Sequence, residues 1–336
     1  MNVRRIGMVV NPAAGGGTAK EVGASFARTV VDAGCEIVGL SALSADVALS
    51  NVRGALRDID ALVVVGGDGM VHLGVQAVAQ TDVPLGLIPV GTGNDFAAAT
   101  GVPLVPADAI AAVMRRVVDG TAPRSLDLLR VEGAGVEGGA PRWVAGAVSA
   151  GLDAAVNARA NRMRFPKGAS KYVVAAVREI LSYRSWGYRL QVEGVDLTPP
   201  LRAGLERFPG VMIESSAVAG EHHLRWESRG ALVTAANTST IGGGIRVAPD
   251  ALLDDGLLDL ILARDVGALT AGKLFPLMIA GKHLQSEDLR AVRARTVTME
   301  SSDAPADWPA VYGDGERIGT LPVRVEVAPG ALRLLA

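Results

Sequence analysis

The strongest constraint on the fold is a rhythm at the start of the chain, where short apolar runs alternate with alanine-rich helical patterns and the runs end in glycine loops. Residues 5–10, 36–40, 61–65 and 84–89 read as strands. Such alternation is the mark of a parallel sheet, because parallel neighbours need a crossover connection, usually a helix. The helices have candidate caps at Thr18, Asp46 and Asp108. Three loops leave the carboxyl ends of predicted strands: Asn11-Pro12-Ala13-Ala14-Gly15-Gly16-Gly17, Gly66-Gly67-Asp68-Gly69 and Gly91-Thr92-Gly93-Asn94. Ligands of open α/β sheets sit at that edge. Glycine lets the backbone approach an anion closely and aim N–H groups at it, and a following helix N-terminus adds partial positive charge. Three loops of this kind point to a polyphosphate. None carries G-x-G-x-x-G, which disfavours a dinucleotide, and there is no G-x-x-x-x-G-K-[ST] loop.

From residue 125 the texture changes to strands joined by glycine- and proline-rich turns, at 126–131, 143–148, 188–195, 231–236, 257–262 and 323–327. A second, antiparallel, all-β sandwich-like domain is expected, interrupted by helical patterns at 170–183 and 266–280. Residues 131–141, with four glycines, read as a hairpin or mobile turn rather than a domain linker. A length of 336 residues suits two domains, and 49% hydrophobic against 20% charged residues excludes a disordered or fibrous chain. The net charge of -2 gives no general field for nucleic acid, so no nucleic-acid partner is expected. Cys35 is the only cysteine, which fits a reducing cytoplasm. The first apolar run is too short for a signal peptide. The most apolar stretch, 266–280, is broken by Lys273 and Pro276 and is expected in the core rather than at a lipid entrance.

Asp68, between glycines, could contact magnesium on a phosphate or accept a proton, with a turn-forming aspartate as the lesser alternative. Asn94 and Asp95 suit helix caps. These segments, with two later ones, resemble the diacylglycerol kinase and sphingosine kinase family, especially its bacterial lipid kinases. The signatures of that family are N-P-x-x-G, G-G-D-G-T, G-T-x-N-D-F-A, D-D-G-x-[LFY] and a late D-G-E. Their counterparts occur here in order: Asn11-Pro12 leading to Gly15, Gly66 to Met70, Gly91 to Ala97, Asp254-Asp255-Gly256-Leu257-Leu258 and Asp314-Gly315-Glu316. Two positions depart from the pattern, Met70 for the threonine and Leu73 for an acidic residue.

The resemblance implies a phosphofructokinase- or NAD-kinase-like α/β nucleotide domain over 1–124 with a tail at 318–336, a β-sandwich domain over 125–317, and an active site in the cleft between them. It implies ATP and Mg2+ as cofactors and a lipid hydroxyl as acceptor, that of diacylglycerol or a related lipid. Nucleotide positions carried over are Asn11, Pro12, Gly15, Gly66, Gly67, Asp68, Gly69, Met70, Val71, His72, Thr92 and Asn94, with Ser41 or Ser44 matching a threonine of the second loop. Asp314 matches the general base, and Glu316 would orient it or bind metal; read alone, Asp314-Gly315 is a hairpin turn. A structural magnesium would take Asp255 with the carbonyls of Leu252 and Leu257.

A lipid substrate implies peripheral contact with the inner face of a membrane. The one local basic cluster, residues 159–167 followed by Lys171, suits anionic headgroups and equally a solvated helix face. A homodimer is compatible with this reading. The histidines, including the adjacent His222 and His223, form no chelate pattern, and Ser149, Ser215 and Ser216 lack a hydrolase setting. The alternative functions are a catalytically weak nucleotide- or lipid-binding regulator and an NAD-kinase-like small-molecule kinase.

Overall fold

The computed structural model describes residues 5–163, 165–166, 168, 170–215, 221–303, 308 and 310–336. The chain divides into two units, Met1–Leu128 together with Pro329–Ala336, and Leu129–Ala328. The first runs β1 (Arg5–Val10), α1 (Thr18–Asp32), β2 (Glu36–Gly39), α2 (Ala45–Ala55), β3 (Ala61–Gly66), α3 (Asp68–Val78), β4 (Leu85–Pro89), α4 (Asp95–Thr100) and α5 (Pro106–Asp119), and leaves through β5 (Arg124–Glu132). Its strands pair in parallel in the order β2-β1-β3-β4, and Leu334 and Leu335 at the chain end add in parallel beside Leu85 and Gly86. Every residue of β3 and β4 is buried, as expected of central parallel strands covered on both faces, which explains their unbroken apolar runs. Helix α1 turns Ala19, Gly23, Phe26 and Val30 inward, one face at helical spacing.

The helix caps differ from expectation. Gly17, Ser44 and Val105 hold the N-cap positions, whereas Thr18, Asp46 and Asp108 are first-turn residues. Ser44 Oγ accepts the Val47 N–H at 3.3 Å. Helix α5 opens on Pro106, whose missing N–H would have had no partner there, and Asp46 and Asp108 place negative charge at the positive end of the helix dipole.

The second unit contains β6 (Arg142–Val144), β7 (Ala147–Gly151), α6 (Leu152–Arg162), α7 (Ser170–Leu181), β8 (Trp186–Glu193), α8 (Pro199–Leu205), β9 (Val211–Ser215), β10 (His222–Ala236), β11 (Leu258–Arg264), α9 (Gly267–Ile279), β12 (Leu289–Ala294), β13 (Thr296–Ser301), β14 (Val311–Gly313), β15 (Glu316–Gly319) and β16 (Val323–Leu335), which re-enters the first unit. The named strand pairs within this unit are antiparallel. The long strand β10 changes partners near an irregularity at Gly230: its first half pairs with β8 and β9, its second with β7 and β11. Tyr188, Leu190, Trp226, Val233, Leu260 and Val297 belong to the apolar core that results. Residues 131–141 connect β5 to β6 as a hairpin, with Leu129 opposite Val144. The single strand expected at 143–148 is two, β6 and β7, separated by Ala145-Gly146.

Helix α9 corrects the core expectation. Only Ala271 on it is buried, and Leu269, Leu277 and Ile279 are exposed. Leu274 and Met278 pack on one apolar cluster and Phe275 on another, so one side of the helix meets protein while the rest faces solvent.

Candidate active site

In the first unit β1, β3 and β4 are neighbours, so their carboxyl ends bring the three glycine loops to one edge. The ladder runs into the loops: Asn11 N–H donates to Val65 O at 3.1 Å and Val90 N–H to Gly66 O at 2.9 Å. The second and third loops touch backbone to backbone, since a Cβ at Gly91 would lie 2.5 Å from Gly67 Cα. Only glycine permits that approach. Asn94 closes its own loop, accepting the Gly91 N–H at 3.1 Å and donating to Gly91 O at 2.8 Å.

Asp68 ties the two loops together. Its Oδ2 accepts the Asn94 N–H at 2.8 Å and its Oδ1 the Phe96 N–H at 3.4 Å. The carboxylate considered for magnesium or proton transfer thus accepts two backbone N–H groups of the third loop and the helix that follows it. Gly15, Gly16 and Gly17 have φ of 58, 69 and 106°, and a Cβ at Gly15 would meet Val90 O at 2.8 Å. Asn11 Oδ1 accepts the Ala13 N–H at 3.1 Å. Of the two candidate serines, Ser41 borders this edge, its Oγ accepting the Val10 N–H at 2.9 Å, while Ser44 caps α2.

Pro12, Gly69 and Thr92 are exposed and His72 is half-buried. Met70, Val71 and Leu73 are buried, and Met70 packs beneath Gly66, where a Cβ would lie 2.5 Å from Met70 Cγ. Met70 and Val71 therefore turn no side chain toward a ligand, and their N–H groups donate to Gly67 O at 2.9 and 3.3 Å. The edge presents glycine backbone, helix-start donors and no Cβ where the loops converge, which suits phosphate oxygens.

In the second unit Asp314 and Gly315 have φ of 52 and 80° and form the two-residue turn between β14 and β15, the hairpin geometry that Asp-Gly favours. The Asp314 carboxylate nonetheless reaches away from its own turn: Oδ1 accepts the Gly146 N–H at 2.7 Å and Oδ2 the Ala145 N–H at 2.8 Å. This is why the chain breaks between β6 and β7. Buried Asn237 holds that break in turn, its Nδ2 donating to Ala145 O at 3.0 Å and its N–H to Gly146 O at 2.7 Å. Glu316 is exposed at the start of β15.

Sequence reasoning missed the polar row beside this turn. Asp153, Asn157 and Asn161 recur at helical spacing on α6, among the buried Ala154, Val156 and Ala160. Asn161 Nδ2 donates to Gly315 O at 2.8 Å, and Asn157 Nδ2 to Asp153 O at 3.0 Å. Asp153 accepts from Thr234 Oγ1 and from the Ala154 N–H. Burial pushes its carboxyl up to about 6 despite those bonds and one with Ser149. The i, i+4, i+8 repeat of polar residues was the available signal.

In the loop that the resemblance assigns to a structural magnesium, Asp255 has protein partners. Asp255 Oδ1 accepts the Leu257 N–H at 3.0 Å, and Arg293 forms an ion pair with Oδ2. Leu252 projects into solvent. Asp255 thus has the Arg293 guanidinium as its counter-charge as folded. Nearby Asp259 is pushed up to about 6, first by burial and then by Asp250.

Residues 5–125 match the diacylglycerol kinase catalytic domain, and residues 146–336 match the YegS C-terminal NAD kinase beta sandwich-like domain. A curated relative named diacylglycerol kinase, from Mycobacterium tuberculosis, is 30% identical over 334 residues, covering 99% of this chain and 95% of its own. A protein of Xanthomonas euvesicatoria named "Probable lipid kinase YegS-like" is 29% identical, covering 82% of this chain and 78% of its own. The crystal structure of a diacylglycerol kinase from Bacillus anthracis superposes with a TM-score of 0.67 at 17% identity, covering 100% of this chain and 97% of that one, a likeness of fold. The chain belongs to the diacylglycerol kinase and YegS-like lipid kinase family.

Proposed function

We propose that this protein transfers the γ-phosphate of ATP to a lipid hydroxyl, that of diacylglycerol or a related lipid. The observation that carries the reading is the pair of glycine loops tied by Asp68 and pressed together at Gly67 and Gly91, in a chain of this family. The three loops bind the phosphates of the magnesium–nucleotide substrate through backbone N–H groups. Asp314, oriented by the Ala145 and Gly146 N–H groups, takes the proton of the acceptor hydroxyl. The hydroxyl oxygen bonds to the γ-phosphorus, the bond from that phosphorus to the β–γ bridging oxygen breaks, and ADP leaves with that electron pair. Positioning supplies most of the rate gain in chemistry of this kind.

The test is transfer of labelled γ-phosphate from ATP to diacylglycerol in mixed micelles with magnesium. Asp314→Asn is expected to lower turnover by about 10²–10⁴-fold while leaving ATP binding by calorimetry unchanged. Equal turnover in the variant contradicts the assigned base. ATP binding without any lipid product supports a regulator instead, and formation of NADP from NAD supports the small-molecule kinase.

A further inference from the structure

We infer that helices α7 and α9 form a docking face for an anionic lipid bilayer. The inference rests on the lipid-kinase reading for its purpose but on separate residues for its evidence. By composition α9 is strongly apolar, yet it buries only Ala271, and Leu269 is 86% exposed with Leu277 and Ile279 also in solvent. Helix α7 repeats the pattern: Ala175, Ala176 and Ile180 face inward, while Val173, Val177 and Leu181 form an exposed row at i, i+4 and i+8, with Leu181 79% exposed. The two helices are neighbours, as Phe275 packs on the cluster holding Ala175 and Ala176, and a Cβ at Gly272 would lie 3.9 Å from Ile180 Cγ2. Phe165, ahead of α7, is 84% exposed.

Apolar surface displayed on two adjacent helices marks an interaction site. Charge selects the occupant. The two helices carry Lys171, Arg178 and Lys273 against a single acid, Glu179, and Glu179 is paired with Arg159 on α6. Arg162 and Lys282 flank them, both exposed. An excess of cations around exposed leucines and valines matches acyl chains beneath anionic headgroups, with α9 lying in the interface rather than crossing it. Among the described residues no helix is long and apolar enough to cross a membrane. Of the basic run recognised in the sequence, Arg164 and Lys167 lie outside the described residues.

The test is co-sedimentation of the full chain, without nucleotide, with vesicles of phosphatidylglycerol and phosphatidylcholine and with vesicles of phosphatidylcholine alone. Binding is expected to the first, to fall with salt, and to drop at least about tenfold in Leu269→Ser/Leu277→Ser and in Lys171→Glu/Lys273→Glu. These residues are exposed, and unchanged circular dichroism and melting temperature establish that the variants fold. Phosphorylation of a dispersed short-chain diacylglycerol is expected to be equal in wild type and variants, so failure of docking and failure of the kinase reading are read separately. Vesicle binding unchanged in both variants overturns the proposal. So does absence of vesicle binding, including the case of a concentration-dependent dimer abolished by the same substitutions, which assigns the face to a second copy.

Discussion

At Gly91 the third glycine loop meets the second so closely that a methyl group has no room, its nearest neighbour being Gly67 Cα. Gly91→Ala must separate the loops, at a cost of about 1–3 kcal/mol for forced overpacking. ATP binding by calorimetry is expected to weaken at least about tenfold, a change of about 1.4 kcal/mol. Retained affinity would show that the contact of the two loops does not shape the site. Asp68→Ala leaves the Asn94 and Phe96 N–H groups without their carboxylate, with an expected loss of about 1–3 kcal/mol by chemical denaturation. Asp68 stood out in the sequence by its glycine loop and Asp314 by the family resemblance, since either read alone also suits a turn. Their partners did not. Asp68 bonds to residues 26 and 28 positions away, and Asp314 to residues 168 and 169 positions away. No local pattern encodes such pairings.

The N-terminus of α6 makes stability depend on pH. In the folded chain Asp153 titrates at about 6 against an ordinary 3.8, because burial disfavours its charged form. Folding therefore favours the bound proton, and this contribution is complete below the ordinary value and lost as pH rises to about 6. Asp153→Asn removes that dependence, so its melting temperature relative to wild type should shift in the variant's favour between about pH 4 and pH 7. A constant difference across that range would contradict the burial argument. Elements differed in how much of themselves the sequence disclosed. The strands β3 and β4 were legible because a parallel strand covered on both faces must be an unbroken apolar run. Helix α9 was not: its composition announces removal from water without saying what removes it, and a protein core and a bilayer select the same side chains. The break between β6 and β7 was hidden because it depends on a carboxylate from β14–β15.

At the scale of the whole molecule, an α/β unit of parallel strands and an antiparallel β-rich unit belong to one lipid kinase family. The glycine loops alone suggested phosphate, and the later Asp254 to Leu258 and Asp314 to Glu316 segments narrowed the reading. Which lipid is phosphorylated lies beyond such motifs, since acyl pockets are built from interchangeable Leu, Val, Ala and Met side chains. The central claim is transfer of a γ-phosphate to a lipid hydroxyl. It is tested most directly by incubating the protein with a total lipid extract, magnesium and γ-labelled ATP, then identifying labelled lipids by mass spectrometry. The account predicts a new phospholipid carrying the label on a former hydroxyl, formed by wild type and lost in Asp314→Asn. Bound ATP with no labelled lipid in any fraction would contradict it.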